Sequence, residues 1–270
     1  MYFYLFRILI NNFTLYPIIS QIFGFDINTY PIVIFFSSII CAFYFSKICL
    51  SKKLVLDFLS DYFILIVLVT FLFARLGGVF EAFSLYLSEP LRFFYIFDGR
   101  YNFFAGFIGF LFIFYLFSLI KKENFWNWMD ALSQPFILFF IFNSVGEFFS
   151  GANYGTPSSF PWAVSFNIPE VRYTIPVHPV QLYEAGLLFL LMLSAHYIKT
   201  KSNHEGITAA YSFFGFFVIR SLLFFLRGAP DTTIYNIPFS LVASIFFSVI
   251  ALIVLILKTH PNIHFVHHEH

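Results

Sequence analysis

Charge is scarce in this 270-residue chain: Asp, Glu, Lys and Arg together make up 11% of it, and none occurs between Arg100 and Lys121 or between Asp231 and Lys258. So little charge, with 60% hydrophobic residues and a mean hydropathy of +0.83, excludes a soluble domain of this length. Cysteine is nearly absent too. Cys41 and Cys49 are expected to be free thiols, which excludes a disulfide-stapled scaffold. No phosphate-cradling glycine loop, nucleophile elbow or zinc-ligand spacing is present. His260, His264, His267, His268 and His270 are read as a solvated tail rather than a metal tract, and His196 and His204 as solvated as well. With a net charge of +1, no nucleic-acid partner is expected. The 45 phenylalanines carry no functional signal by themselves.

What the chain does have is apolar runs of bilayer length. Seven are expected to span: about 30–49, 62–83, 102–120, 131–150, 179–198, 207–227 and 236–258. The stretch 2–24 contains Arg7, Asn11, Asn12 and Pro17, and is expected to lie along the interface as an amphipathic helix. The chain thus divides into an N-terminal segment 1–29, an all-α seven-span domain 30–258 with a loop region 150–178, and a tail 259–270. All eight lysines fall on one side of this arrangement: Lys47, Lys52, Lys53, Lys121, Lys122, Lys199, Lys201 and Lys258. The positive-inside rule makes that side, and the C-terminus, cytoplasmic.

Ionisable groups inside spans mark function more often than not. Helical rise lifts Arg75 about 20 Å from the cytoplasmic start of span two, and Arg220 to a similar height on span six. Glu147, Glu184 and Tyr30 reach the same depth from spans running both ways. The expected result is a polar cavity facing the outer leaflet, where arginines could hold a phosphate. The densest polar run is His178-Pro179-Val180-Gln181-Leu182-Tyr183-Glu184-Ala185, at the entrance of span five. Before it, 150–177 is rich in Gly, Pro and aromatics, as a shaped lid or small head would be.

The His178-to-Ala185 run resembles the His-Pro-Ser-Gln-Leu-Tyr-Glu motif of bacterial prolipoprotein diacylglyceryl transferases. Other stretches resemble the family in the same order: Ala74-Arg75-Leu76, Pro90 to Gly109, Asp130-Ala131-Leu132, Tyr154-Gly155 through Pro161-Trp162-Ala163-Val164, and Arg220 to Asp231. Tyr30 falls where the family has a functional tyrosine, and the likeness covers about 26–240. The resemblance implies a seven-span inner-membrane enzyme that moves a diacylglyceryl group from phosphatidylglycerol to the lipobox cysteine of a preprolipoprotein signal peptide, within the lipid bilayer and without a cofactor. It implies Arg220 and Arg227 as phosphate ligands and Arg75 as a deeper third cation or a structural partner. Tyr30, His178, Gln181, Tyr183 and Glu184 would order the headgroup and pocket wall. The base is open between Glu147 and His178.

The chain departs from the family at Phe104, where the family has His, and at Phe224, where it has Glu. The family's Gly-Arg-x-Gly-Asn-Phe-x-Asn-Gly-Glu becomes Asn143-Ser144-Val145-Gly146-Glu147-Phe148-Phe149-Ser150-Gly151-Ala152. Two functions therefore stand side by side: a divergent transferase with a rearranged site, and a paralogue that binds phospholipid or a lipoprotein precursor without reacting it.

Overall fold

The computed structural model describes residues 18–22, 25–166, 171–202, 204–228, 233–234 and 237–260. In chain order the elements are β1 (Ile18–Ile22), β2 (Phe25–Asn28), α1 (Thr29–Lys52), α2 (Asp57–Glu81), α3 (Phe83–Ser88) and 3-10 turns at Pro90–Phe94 and Ile96–Asp98. Then come α4 (Phe103–Lys121), α5 (Phe125–Ser150), α6 (Val180–Lys201), α7 (Ile207–Phe224), β3 (Thr233–Ile234), β4 (Ile237–Pro238) and α8 (Phe239–Thr259). Among the described residues, α1, α2, α4, α5, α6, α7 and α8 are long and apolar enough to cross a membrane, so the protein is a helical, multi-pass membrane protein. Their outward faces are apolar as well: Ile64 is 73% and Phe43 70% exposed, as lipid contact requires.

The spans match the sequence expectation closely, apart from the fourth. Helix α5 begins six residues before the expected 131, because Asn124 caps it, accepting from Trp126 N at 3.0 Å and Asn127 N at 3.2 Å. The interfacial helix expected over 2–24 is corrected where it is described. Ile18–Ile22 is a strand paired antiparallel with Phe25–Asn28, since β-branched Ile18, Ile19 and Ile22 suit a ladder better than a helix. Residues 1–17, which include Arg7, Asn11, Asn12 and Pro17, lie outside the described residues, as do Glu170, Asp231 and the tail from 261 on, with His264, His267, His268 and His270.

Two compact units make up the fold. The first is drawn from Met1–Ile48, Met129–Asp231 and Ser240–His270, the second from Cys49–Trp128 and Thr232–Phe239. In the second unit α2 and α4 pack through small residues, the usual way for membrane helices to approach closely. A Cβ added at Gly77 would lie 2.4 Å from that of Ala105, so nothing larger than glycine fits there. Asn102 starts α4 by accepting from Ala105 N at 2.8 Å, while its own amide donates to Glu81 at 2.6 Å.

In the first unit, α5 and α7 interlock through Phe136, Phe140, Phe213 and Phe216, with ring centroids 4.7–5.3 Å apart. Asp130 fixes the start of α7, where its two carboxylate oxygens accept from Gly206 N and Ala209 N, each at 2.8 Å. The loop between α5 and α6 carries its own small core of Phe148, Tyr154, Val164, Phe166, Val171 and Val177.

Candidate active site

The polar residues of the first unit converge on one end of α5, α6 and α7. Glu184, 2% exposed in the first turns of α6, accepts from Arg220 Nη1 at 3.3 Å and from Arg227 Nη2 at 3.0 Å, one oxygen to each. A single carboxylate thus holds two guanidiniums at hydrogen-bond distance in an apolar protein. The Arg220 guanidinium also lies over the rings of Phe216 and Phe140, at 5.6 and 6.0 Å, which keeps its plane pinned. Arg227 follows α7 on extended backbone. Its neighbour Leu226 accepts from Thr156 N, Gly228 donates to Tyr154 O, and Arg227 bridges Gly155. The chains cross so closely there that a Cβ on Gly155 would lie 2.3 Å from His178 O. Arg227 Nε is buried and has no partner among the described residues.

A second carboxylate stands beside this cluster. Glu147, half-buried in the last turn of α5, accepts from Asn143 Nδ2 at 2.9 Å, and Asn143 Oδ1 accepts from the Tyr30 hydroxyl at 2.8 Å. Glu147 also lies within electrostatic reach of Glu184 and Arg220. Gln181, on the buried side of α6, donates from Nε2 to Ala152 O at 2.6 Å, and its Oε1 is buried without a partner among the described residues.

His178 faces elsewhere. Its Nδ1 is 3.4 Å from the Tyr183 hydroxyl, which accepts from Trp162 Nε1 at 2.6 Å; Phe160 stacks on Trp162 with centroids 5.0 Å apart. His178 and Tyr183 therefore join the loop to α6.

Arg75 belongs to the second unit, and its donors are taken by protein. They reach both oxygens of Asp98, at 2.5 and 3.2 Å, and the carbonyls of Phe93, Arg92, Tyr95 and Arg100. The guanidinium beside it holds the Asp98 carboxyl well below the usual carboxylate range, helped by Arg100 N and the Tyr86 hydroxyl. Burial, with its bond to Asp98, pushes the Tyr86 phenol up.

The substituted family positions are filled as apolar or self-contained sites. Phe104 is 6% exposed and meets the rings of Phe103 and Phe239 at 5.3 and 5.9 Å. Ser144 donates back to Phe140 O within its own helix, and Phe224 lies edge-on to Phe225. Asn143 and Trp162 are the site residues whose roles sequence reasoning missed. The spacing of four between Asn143 and Glu147, which puts both on one helix face, was the signal for the first, and Trp162 drew notice only as part of a motif.

Comparison with known proteins agrees with this architecture. A family model for prolipoprotein diacylglyceryl transferase matches residues 17–257. The phosphatidylglycerol–prolipoprotein diacylglyceryl transferase of Bordetella parapertussis is 32% identical over 175 residues, which are 64% of this chain and 66% of that protein, just under two thirds of its length. Proteins of the same name from Protochlamydia amoebophila and Phenylobacterium zucineum are 34% and 28% identical, over 69% and 70% of this chain and 53% and 70% of their own lengths. The chain belongs to the prolipoprotein diacylglyceryl transferase family.

Proposed function

We propose that this protein transfers the diacylglyceryl group of phosphatidylglycerol to the thiol of the lipobox cysteine of a preprolipoprotein. The observation that carries this is the buried Arg220–Glu184–Arg227 cluster with Glu147 beside it. Arg220 and Arg227 bring two guanidiniums together for an incoming phosphodiester, and the Nε of Arg227, buried without a partner among the described residues, is a donor still to be satisfied.

In this mechanism Glu147 takes the thiol proton and the sulfur attacks the glyceryl carbon that bears the phosphate ester. The carbon–oxygen bond breaks, a carbon–sulfur bond forms, and glycerol phosphate leaves against Arg220 and Arg227. The proton then passes from Glu147 to the departing phosphate, so no external acid or base is consumed. Gln181 and Tyr30 shape the wall of the pocket, while His178 and Tyr183 tie the neighbouring loop to α6. Arg75 serves as the pin of its own loop. The site opens toward the outer leaflet of the bacterial inner membrane with the C-terminus cytoplasmic, a reading supported by the lysine segregation.

Phe104, Ser144 and Ala152 favour a second reading, a phospholipid-binding paralogue without the reaction, because each replaces a polar family residue. Mass spectrometry of a lipobox peptide incubated with the protein in phosphatidylglycerol liposomes separates the two. Transfer predicts a thioether-linked diacylglyceryl product absent from Arg220→Ala. Lipid binding without product supports the paralogue.

A further inference from the structure

We propose that Asn143, itself fixed by Tyr30, is a positioning residue for Glu147, holding its carboxylate in the orientation that receives the thiol proton; this rests on the transfer reading above. Glu147 is an awkward place for a carboxylate. It lies in the last turn of α5, among the carbonyls at the negative end of the helix dipole, and within reach of a second carboxylate, Glu184. A group placed so badly needs a donor, and Asn143 supplies one.

Asn143 lies one turn earlier on the same helix face, 2.9 Å from Glu147 Oε1. Its orientation is fixed by its partners. The ionised carboxylate can only accept, so the amide nitrogen must face Glu147 and the amide oxygen must face the Tyr30 hydroxyl, as found at 2.8 Å. A flipped amide would set oxygen against oxygen. Tyr30, on α1, thereby fixes Asn143, and Asn143 fixes Glu147. Because an amide passes protons poorly, this chain orients the carboxylate rather than draining it.

Asn143 does not stand at a position where the family motif has a comparable amide, since it replaces the leading glycine of that motif. It accompanies the carboxylate that is new at 147.

The test is a mutant cycle on the full-length protein in phosphatidylglycerol liposomes, with Asn143→Ala, Glu147→Gln and the two changes combined. Asn143→Ala is expected to lower kcat about ten- to a hundredfold, as loss of a hydrogen bond to a charged group does. KM for phosphatidylglycerol should stay within about twofold, since Asn143 is not placed against the phosphate. In the Glu147→Gln background the same change should have no further effect. Losses that multiply in that background, a raised KM with unchanged kcat, or full activity in Glu147→Gln would each overturn the positioning role while leaving the transfer reaction in place. No product from the wild-type protein overturns the transfer reading, and the positioning role with it.

Discussion

Arg75, fully buried, and Arg227, partly buried, are each paired with a carboxylate, and the difference between them separates a structural cation from one that awaits a ligand. Arg75 is saturated: Asp98 takes two of its bonds, and four carbonyls of the following loop take the rest. Its carboxylate is saturated in turn by Tyr86 and Arg100. Arg227 shares one carboxylate with Arg220 and keeps a buried Nε without a partner among the described residues. An unmet donor buried in an apolar protein is unfavourable by about 1–3 kcal/mol, which is tolerated where a substrate will satisfy it. The number of hydrogen-bond partners, not the presence of charge, thus distinguishes the two sites.

The largest effect that would sharpen this contrast is at Arg220. Arg220→Ala should lower transfer by two orders of magnitude or more, as the loss of a transition-state phosphate ligand of about 3 kcal/mol or above would. Arg220→Lys should recover little of it, because a point charge lacks the planar fork. Wild-type rates in folded Arg220→Ala protein would remove the residue from the mechanism. Arg75→Ala should act the other way round, with less folded protein and a lower Tm, but an unchanged KM for phosphatidylglycerol in the fraction that folds. A raised KM at normal stability would make Arg75 a ligand after all.

A smaller effect concerns acid. Because Asp98 is held below its ordinary value, its pairing stabilises the folded state above about pH 4 and is lost as pH falls from there toward the depressed value. Asp98→Asn should therefore lower Tm at neutral pH, and the gap from wild type should close as the solution is acidified through that range. A gap that stays constant with pH would show that the carboxylate charge contributes nothing.

The sequence made the membrane spans legible because apolar length is a local signal. Asp130 and Gln181 drew notice only as parts of motifs, since their partners Gly206 and Ala152 lie 76 and 29 residues away. The same limit hid Asn143, whose partner Tyr30 is 113 residues off, and it left Arg75 undecided until a loop carboxylate 23 residues later came into contact. That Glu147, Glu184 and Arg220 lie at one end of their helices follows from counting helical rise. Which carboxylate meets which arginine depends on helix rotation and loop path, neither of which periodicity encodes. Strand β1 was missed for a related reason: a short apolar run with polar interruptions reads equally as an interfacial helix or a paired strand until its partner is known.

The central claim is that the buried two-arginine cluster beside Glu147 carries a transfer reaction. It is tested most directly by mass-spectrometric detection of the diacylglyceryl-modified lipobox peptide in phosphatidylglycerol liposomes, comparing wild type with Arg220→Ala and Glu147→Gln. The account predicts product from wild type, next to none from Arg220→Ala, and a reduced rate from Glu147→Gln. Wild-type protein that binds the lipid yet yields no product above a protein-free control would contradict it.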